Sequence, residues 1–153
     1  MAGKQPKATY QPQKKAIPSG AANKSKEHEK NKFEWNPDTA SLAHPKFGVH
    51  LIEHGDLWHS VLSKLQNFAG MTWNEILSQT HDRGKSSNHG LDPNDGLSTD
   101  GQSAWDLADQ DLKDMQLVSL RLNNLERIIG FRDGAVFHVI WYDPKHDFVK
   151  VKH

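Results

Sequence analysis

Two stretches of this chain concentrate side chains able to handle phosphate and protons. The first is residues 119–149, SLRLNNLERIIGFRDGAVFHVIWYDPKHDFV, with Arg121 and Arg127 near its start and Lys145 and His146 near its end. The second is residues 81–89, HDRGKSSNH, where Arg83 and Lys85 flank Gly84 between His81 and His89. Arginine offers a planar, permanently charged fork for oxyanions, and histidine titrates near neutrality. Whether these groups act together depends on the elements that carry them.

Apolar β-formers run from Glu126 to Arg132, stop at Asp133-Gly134 and resume from Ala135 to Tyr142. Asp-Gly between two such runs predicts a tight hairpin, because its central positions need positive φ. A two-residue turn at Asp133-Gly134 sets Arg132 opposite Ala135, Phe131 opposite Val136, Ile129 opposite His138 and Arg127 opposite Ile140. Opposed residues share a face, so Arg127, Ile129, Phe131, Val136, His138 and Ile140 fall on one side. Glu126, Ile128, Gly130, Phe137, Val139 and Trp141 fall on the other. Both faces are largely apolar, so helices cover one and the other forms a partly covered concavity.

Upstream, Leu57, Val61, Leu65 and Phe68 recur at helical spacing before Gly70. Thr72 and Glu75 have capping-box spacing and start a second helix through Trp73, Ile76 and Leu77. A third helix is expected from near Ser103 to Met115, with Asp106, Asp109, Asp111 and Asp114 on a solvated face. Val118, Leu120 and Leu122 alternate with polar residues as a first strand, and a short last strand is expected near Phe148 to Val151. Phe33-Glu34-Trp35 docks the chain on the core. Residues 81–98 read as one long loop. Helices first and an antiparallel meander last make an α+β fold rather than α/β.

Composition divides the chain. Residues 1–32 hold eight lysines and two glutamates, a net of +6, so that the neutral chain carries −6 beyond them. That segment has too few large apolar side chains to offset chain entropy, and is expected to be a disordered basic tail. It is either a plain solvated leader or an electrostatic arm. Residues 33–153, with all five tryptophans, form a single domain. With no cysteine, disulfides and cysteine-ligated zinc are excluded. No apolar run has the length of a membrane span and no secretory signal is present, which places the chain in the cytoplasm, away from membranes.

The C-terminal pattern resembles the RelE/ParE superfamily of bacterial toxins, in particular its ribonuclease branch. The residues that carry it are Leu120-Arg121, then Arg127-Ile128-Ile129-Gly130-Phe131, the Asp133-Gly134 turn, and Lys145-His146 followed by Asp147-Phe148. The resemblance covers residues 100–151. It implies two or three helices packed on a C-terminal antiparallel meander, and an endoribonuclease that cleaves mRNA, free or on the ribosome, under an antitoxin protein. It implies no cofactor and no metal. The ribose 2′-oxygen would attack the adjacent phosphate, with Arg127 and Arg121 holding the phosphorane oxygens and His146 or His138 moving protons. Lys145, Arg83 and Lys85 would contact RNA phosphate, and Tyr142 would stack on a base.

Blander readings stand beside each role. Arg127 pairs with Asp109 or Asp111, His138 is a hydrogen-bonded core histidine, Tyr142 packs with Trp141, and Lys145-His146 is plain surface. A non-catalytic module that binds protein or nucleic acid on the same scaffold is the alternative function. A metal-dependent hydrolase on His81, Asp82, His89 and His146 is a third, although no ligand spacing typical of zinc is present.

Overall fold

The computed structural model describes residues 31–150. The expected disordered tail lies outside them except for its last two residues, which are anchored to the helical layer. Asn31 accepts a hydrogen bond from the Trp73 amide, and Lys32 bridges Thr72. The fold is α+β, as the sequence predicts. A five-stranded sheet runs in the order β1-β7-β6-β5-β4, with β1 Glu34–Asn36, β4 His89–Leu91, β5 Gln116–Arg121, β6 Arg127–Asp133 and β7 Val136–Asp143. Strands β4 to β7 pair antiparallel, and β1 joins the far edge parallel to β7.

Helix α1 is continuous from His54 but changes pitch: His54–Asp56 is α-helical, Leu57–Leu62 is a π-helical stretch and Ser63–Ala69 is α-helical again. Its end at Gly70 and its buried Val61, Leu65 and Phe68 match the sequence periodicity. Helix α2, Trp73–Leu77, begins with the expected capping box. The Thr72 hydroxyl accepts from the Glu75 amide, and Glu75 accepts from the Thr72 amide. Helix α3, Thr99–Asp106, starts earlier than expected because the Ser98 hydroxyl caps it by accepting from the Gly101 amide. It also ends sooner, and only a 3₁₀ turn at Leu112–Asp114 fills the rest of the segment expected to be helical.

The two sheet faces carry two cores. On one side Val118, Leu120, Ile128, Phe137, Val139 and Tyr142 meet α1, α2 and Phe33. On the other, Leu117, Ile129, Phe131, Ile140 and Trp141 meet Phe47, Leu97, Ala104, Leu112 and Phe148. Phe33 is buried among Phe68, Trp73 and Phe137, which explains how the short β1 is held.

Three expectations are corrected. The segment 81–98 is not one loop, because it contains the small hairpin β2 Thr80–His81 and β3 Lys85–Ser86 as well as β4. No last strand forms after β7 among the described residues; Val149 makes only an isolated bridge to Leu97. The turn of the main hairpin lies one residue later than predicted. Asp133 pairs with Val136, leaving Gly134-Ala135 at the tip, and Gly134 alone of the two has positive φ, +63°. That is the glycine-first form of a hairpin turn rather than the Asp-Gly form.

The hairpin register also shifts between Ile129 and Gly130. Gly130 pairs with Val139 and Ile129 with Trp141, so Ile140 is an extra residue on β7, a β-bulge. A Cβ at Gly130 would collide with the His138 carbonyl, and so the bulge needs glycine there. Beyond the bulge every β7 side chain changes partner relative to an unbroken ladder. Gly130→Ala is therefore expected to destabilise the fold by about 1–3 kcal/mol, the usual cost of overpacking. A urea unfolding curve with an unchanged midpoint would contradict this account of the bulge.

Candidate functional site

The bulge decides which side chains meet at the open end of the sheet. Register places Arg121 of β5 opposite Arg127 of β6, and Arg127 opposite Asp143 of β7. Directly paired residues project to one side, so Arg121, Arg127 and Asp143 form a row across three strands. The adjacent row on that face is His89, Ser119, Ile129 and Trp141. The polar row thus stands at the margin of the second core, where apolar cover gives out.

Arg127 is only 5% exposed. Its Nη1 donates to the carbonyls of Asn123 (2.8 Å) and Glu126 (3.0 Å) in the β5–β6 connection. That connection is shaped by Asn123, whose Oδ1 accepts from the Leu125 and Glu126 amides. Arg121 donates from Nη2 to Asn124 Oδ1 at 2.8 Å. Neither guanidinium forms an ion pair among the described residues, whereas Lys46 and Lys150 do. The blander expectation, Arg127 paired with Asp109 or Asp111, is thus not met. Burial first, and then the neighbouring Arg121 charge, push the Arg127 pKa down, with Asp143 opposing. Arginine still stays protonated near neutral pH, so the site holds two cations side by side.

Asp143 is fully buried, and its carboxylate accepts from the backbone amides of Asp147 and Phe148, both at 2.9 Å. Burial raises its pKa against those hydrogen bonds. The turn that it ties together carries His146 in the left-handed region, φ +60°, a conformation uncommon for a residue with a side chain. His146 is exposed, yet close enough to the cluster to feel Arg127, Asp143, His89 and Arg121. Its pKa is lowered, by partial desolvation first and Arg127 second. Lys145 lies exposed beside it.

The β2–β3 hairpin lies beside this row, close enough for His81 to feel Arg121 and Arg127. Buried Asn88 ties it to the sheet: Nδ2 donates to the Ile76 carbonyl (2.8 Å) and Gln79 Oε1 (2.9 Å), while Oδ1 accepts from the Arg121 amide (2.9 Å). The hairpin tip exposes Arg83, and Lys85 is exposed on β3. Among the described residues no three His, Cys, Asp or Glu side chains converge as a metal-ligand set, which removes the geometric basis for the hydrolase reading.

Of the residues singled out by sequence, the structure thus assembles Arg121, Arg127 and His146, with Lys145 beside His146 and Lys85 near His81, while Arg83 stands exposed at the hairpin tip. Two others lie elsewhere. His138 pairs with Phe131, about 13 Å along β6 from Arg127, and sits beside Asn36 of β1 with Asp133 and Asp38 nearby. Tyr142 is buried on the opposite face, beneath the helices, where burial first and Glu126 second raise its pKa; it has no free ring face for a base. Sequence reasoning passed over Asp143, because the unbroken ladder put Ile140 opposite Arg127. It treated His81 and His89 only as metal candidates. The Asp143-Pro144 step, where a carboxylate meets a turn-former, was the available signal for the first.

No known family model matches the chain, and neither does any curated protein or solved structure. No helix among the described residues is long and apolar enough to cross a membrane.

The histidines set the pH response. His44, His81, His138 and His146 all have folded-state pKa values below 6.5, with burial the first cause in each. The unfolded chain therefore takes up protons first as pH falls, so the stability present above about 6.5 is lost as pH drops through the folded values. Asp143, raised above 3.8, contributes the opposite slope at more acidic pH. The melting temperature is expected to fall between about pH 7.5 and 5.5, and less steeply in a His138→Gln, His146→Gln double variant. A melting temperature constant over that interval would count against these environments.

Proposed function

We propose that this chain is a RelE-like, metal-independent endoribonuclease with mRNA as substrate and an antitoxin protein as its natural restraint. The observation that carries the reading is a pair of guanidiniums, Arg121 and Arg127, without carboxylate partners among the described residues and next to an exposed histidine on a tied turn. The buried Arg127 and the half-buried Arg121 repel each other, with Asp143 offsetting part of that charge, and a phosphodiester placed between them relieves the repulsion that is left. Their planar forks suit the equatorial oxygens of a phosphorane, where negative charge grows during the reaction. The 2′-oxygen attacks phosphorus, the bond to the 5′-oxygen breaks, and the products are a 2′,3′-cyclic phosphate and a 5′-hydroxyl. His146 lies at the rim of the same row and supplies proton transfer.

Lys145, Arg83 and Lys85 extend the basic rim and would follow the RNA backbone on either side of the scissile phosphate. Two residues expected at the site take no part in this reading. Tyr142 is not a base platform, and His138 is not a proton-transfer group.

Purified protein is expected to cut single-stranded RNA in the presence of a chelator and to leave the 2′-deoxy analogue intact. Arg127→Ala and His146→Ala should each slow cleavage by about 10²-fold or more while the variants stay folded. Wild-type protein that binds RNA without cutting it would favour the non-catalytic module instead. Replacing Arg83 and Lys85 together by Ala should weaken RNA binding and flatten its salt dependence, by about 0.7 in the log–log slope for each phosphate no longer neutralised. Unaltered binding would take the β2–β3 hairpin out of the RNA path.

A further inference from the structure

We propose that His81, on the β2–β3 hairpin, is the general base of this site. It takes the proton of the 2′-hydroxyl, while His146 returns a proton to the leaving 5′-oxygen. The inference rests on the nuclease reading above and adds a catalytic residue to it.

The hairpin is hard to explain by packing. Neither β2 nor β3 contributes a side chain to either core, and Asp82, Arg83, Gly84, Lys85 and Ser86 are all exposed. Its tip is strained: Asp82, Arg83 and Gly84 have successive φ values of +32°, +61° and +84°. Two residues with side chains in that region carry an energetic cost that a mere connection would avoid. Yet its base is held by buried polar bonds. The Ser87 amide donates to the Gln79 carbonyl, and Asn88 links Gln79, Ile76 and the backbone of Arg121.

These bonds bring His81 to the guanidinium row. Its Nδ1 lies 3.0 Å from Ser87 Oγ, and Ser87 adjoins the Asn88 that clamps Arg121. Arg121 of β5, Arg127 of β6 and Lys85 of β3 all act on the ring, as does Asp82 at the tip. With Nδ1–H donating to Ser87, Nε2 keeps its lone pair for a substrate proton.

Both histidines lie near Arg121 and Arg127, and both rings are held below the usual histidine range. What separates them is the carboxylate that each has nearby. Asp82 beside His81 is exposed, whereas Asp143 beside His146 is buried and fixed by two backbone amides, and so is the better placed to steady an imidazolium when a proton arrives. In the step, the 2′-proton passes to His81 Nε2, the 2′-oxygen–phosphorus bond forms and the phosphorus–5′-oxygen bond breaks. The 5′-oxygen takes its proton from His146, and exchange with water resets both rings.

The test compares two oligoribonucleotides that differ at one bridging atom, with oxygen or sulfur at the scissile 5′ position. A thiolate leaves without protonation, so sulfur removes the need for an acid but not for a base. His81→Gln is expected to slow cleavage of both substrates by about 100-fold or more. His146→Gln should slow the oxygen substrate similarly and come within about tenfold of wild type on the sulfur substrate. Should His81→Gln fail to fold by circular dichroism, Ser87→Ala, which releases the ring, should slow both substrates by about tenfold. A folded His81→Gln that cuts the oxygen substrate at the wild-type rate, or one rescued by sulfur, overturns the assignment while leaving the nuclease reading intact. Wild-type protein that cuts neither substrate overturns both.

Discussion

The arrangement of the site depends on one backbone constraint, the glycine at position 130. Because no side chain stands there, the His138 carbonyl closes over it and β7 accommodates Ile140 as a surplus residue. Without that surplus residue the ladder would place Tyr142 opposite Arg127 and turn Asp143 towards the helices. With it, a carboxylate is set against a guanidinium and Trp141 joins Ile129 and Phe131 in the second core. One missing Cβ therefore decides both the packing of a face and the chemistry at its end.

From this follows a division of labour across the sheet. The helical face is closed by large rings, Phe33, Phe68, Trp73 and Phe137, and by the Trp73 Nε1 hydrogen bond to the Ala135 carbonyl. Arg132 reinforces the hairpin from that side, with its guanidinium 4.2 Å over the Trp73 ring and Nε donating to the Gly134 carbonyl. The opposite face carries its apolar cluster as far as Ile129 and Trp141, and beyond it come Arg127 and Asp143, which are buried but polar. Polar groups collect there because the neighbouring layer provides water access and backbone partners. The two buried arginines illustrate the contrast. Arg132 lies over a ring and braces a turn, whereas among the described residues the Arg127 guanidinium is hydrogen-bonded at Nη1 alone.

Much of the scaffold was readable from residue spacing. The apolar period of α1 and the long apolar runs of β6 and β7 are strong signals because each repeats over several turns or pairs, and the capping box at Thr72 is one because both its residues stand at a fixed spacing. Small elements were not. Strands of two residues, such as β2 and β3, are too short for alternation to appear, and the Ser98 cap competes with no periodic pattern nearby. The site was half readable. Arg121, Arg127 and His146 stand out by type, but their company depends on pairing register. Counting two residues at a time cannot see a bulge unless Gly130 is taken as its mark. His138 keeps its expected face, but the turn one residue later moves it from Ile129 to Phe131, further from Arg127. Tyr142, singled out by its ring alone, lies beyond the bulge and faces the helices.

The parallel pairing of β1 with β7 joins residues 34–36 to 136–138, near the two ends of the described chain. Nearly the whole intervening polypeptide must be in place before that edge can zip. Such a topology lengthens the average loop that folding has to close, and so slows the final step. It also couples distant parts once formed: pulling either end loads the central hairpin directly instead of peeling away a peripheral layer. The sheet should thus yield as a single cooperative unit, with the arginine row dismantled in the same event that frees the first strand.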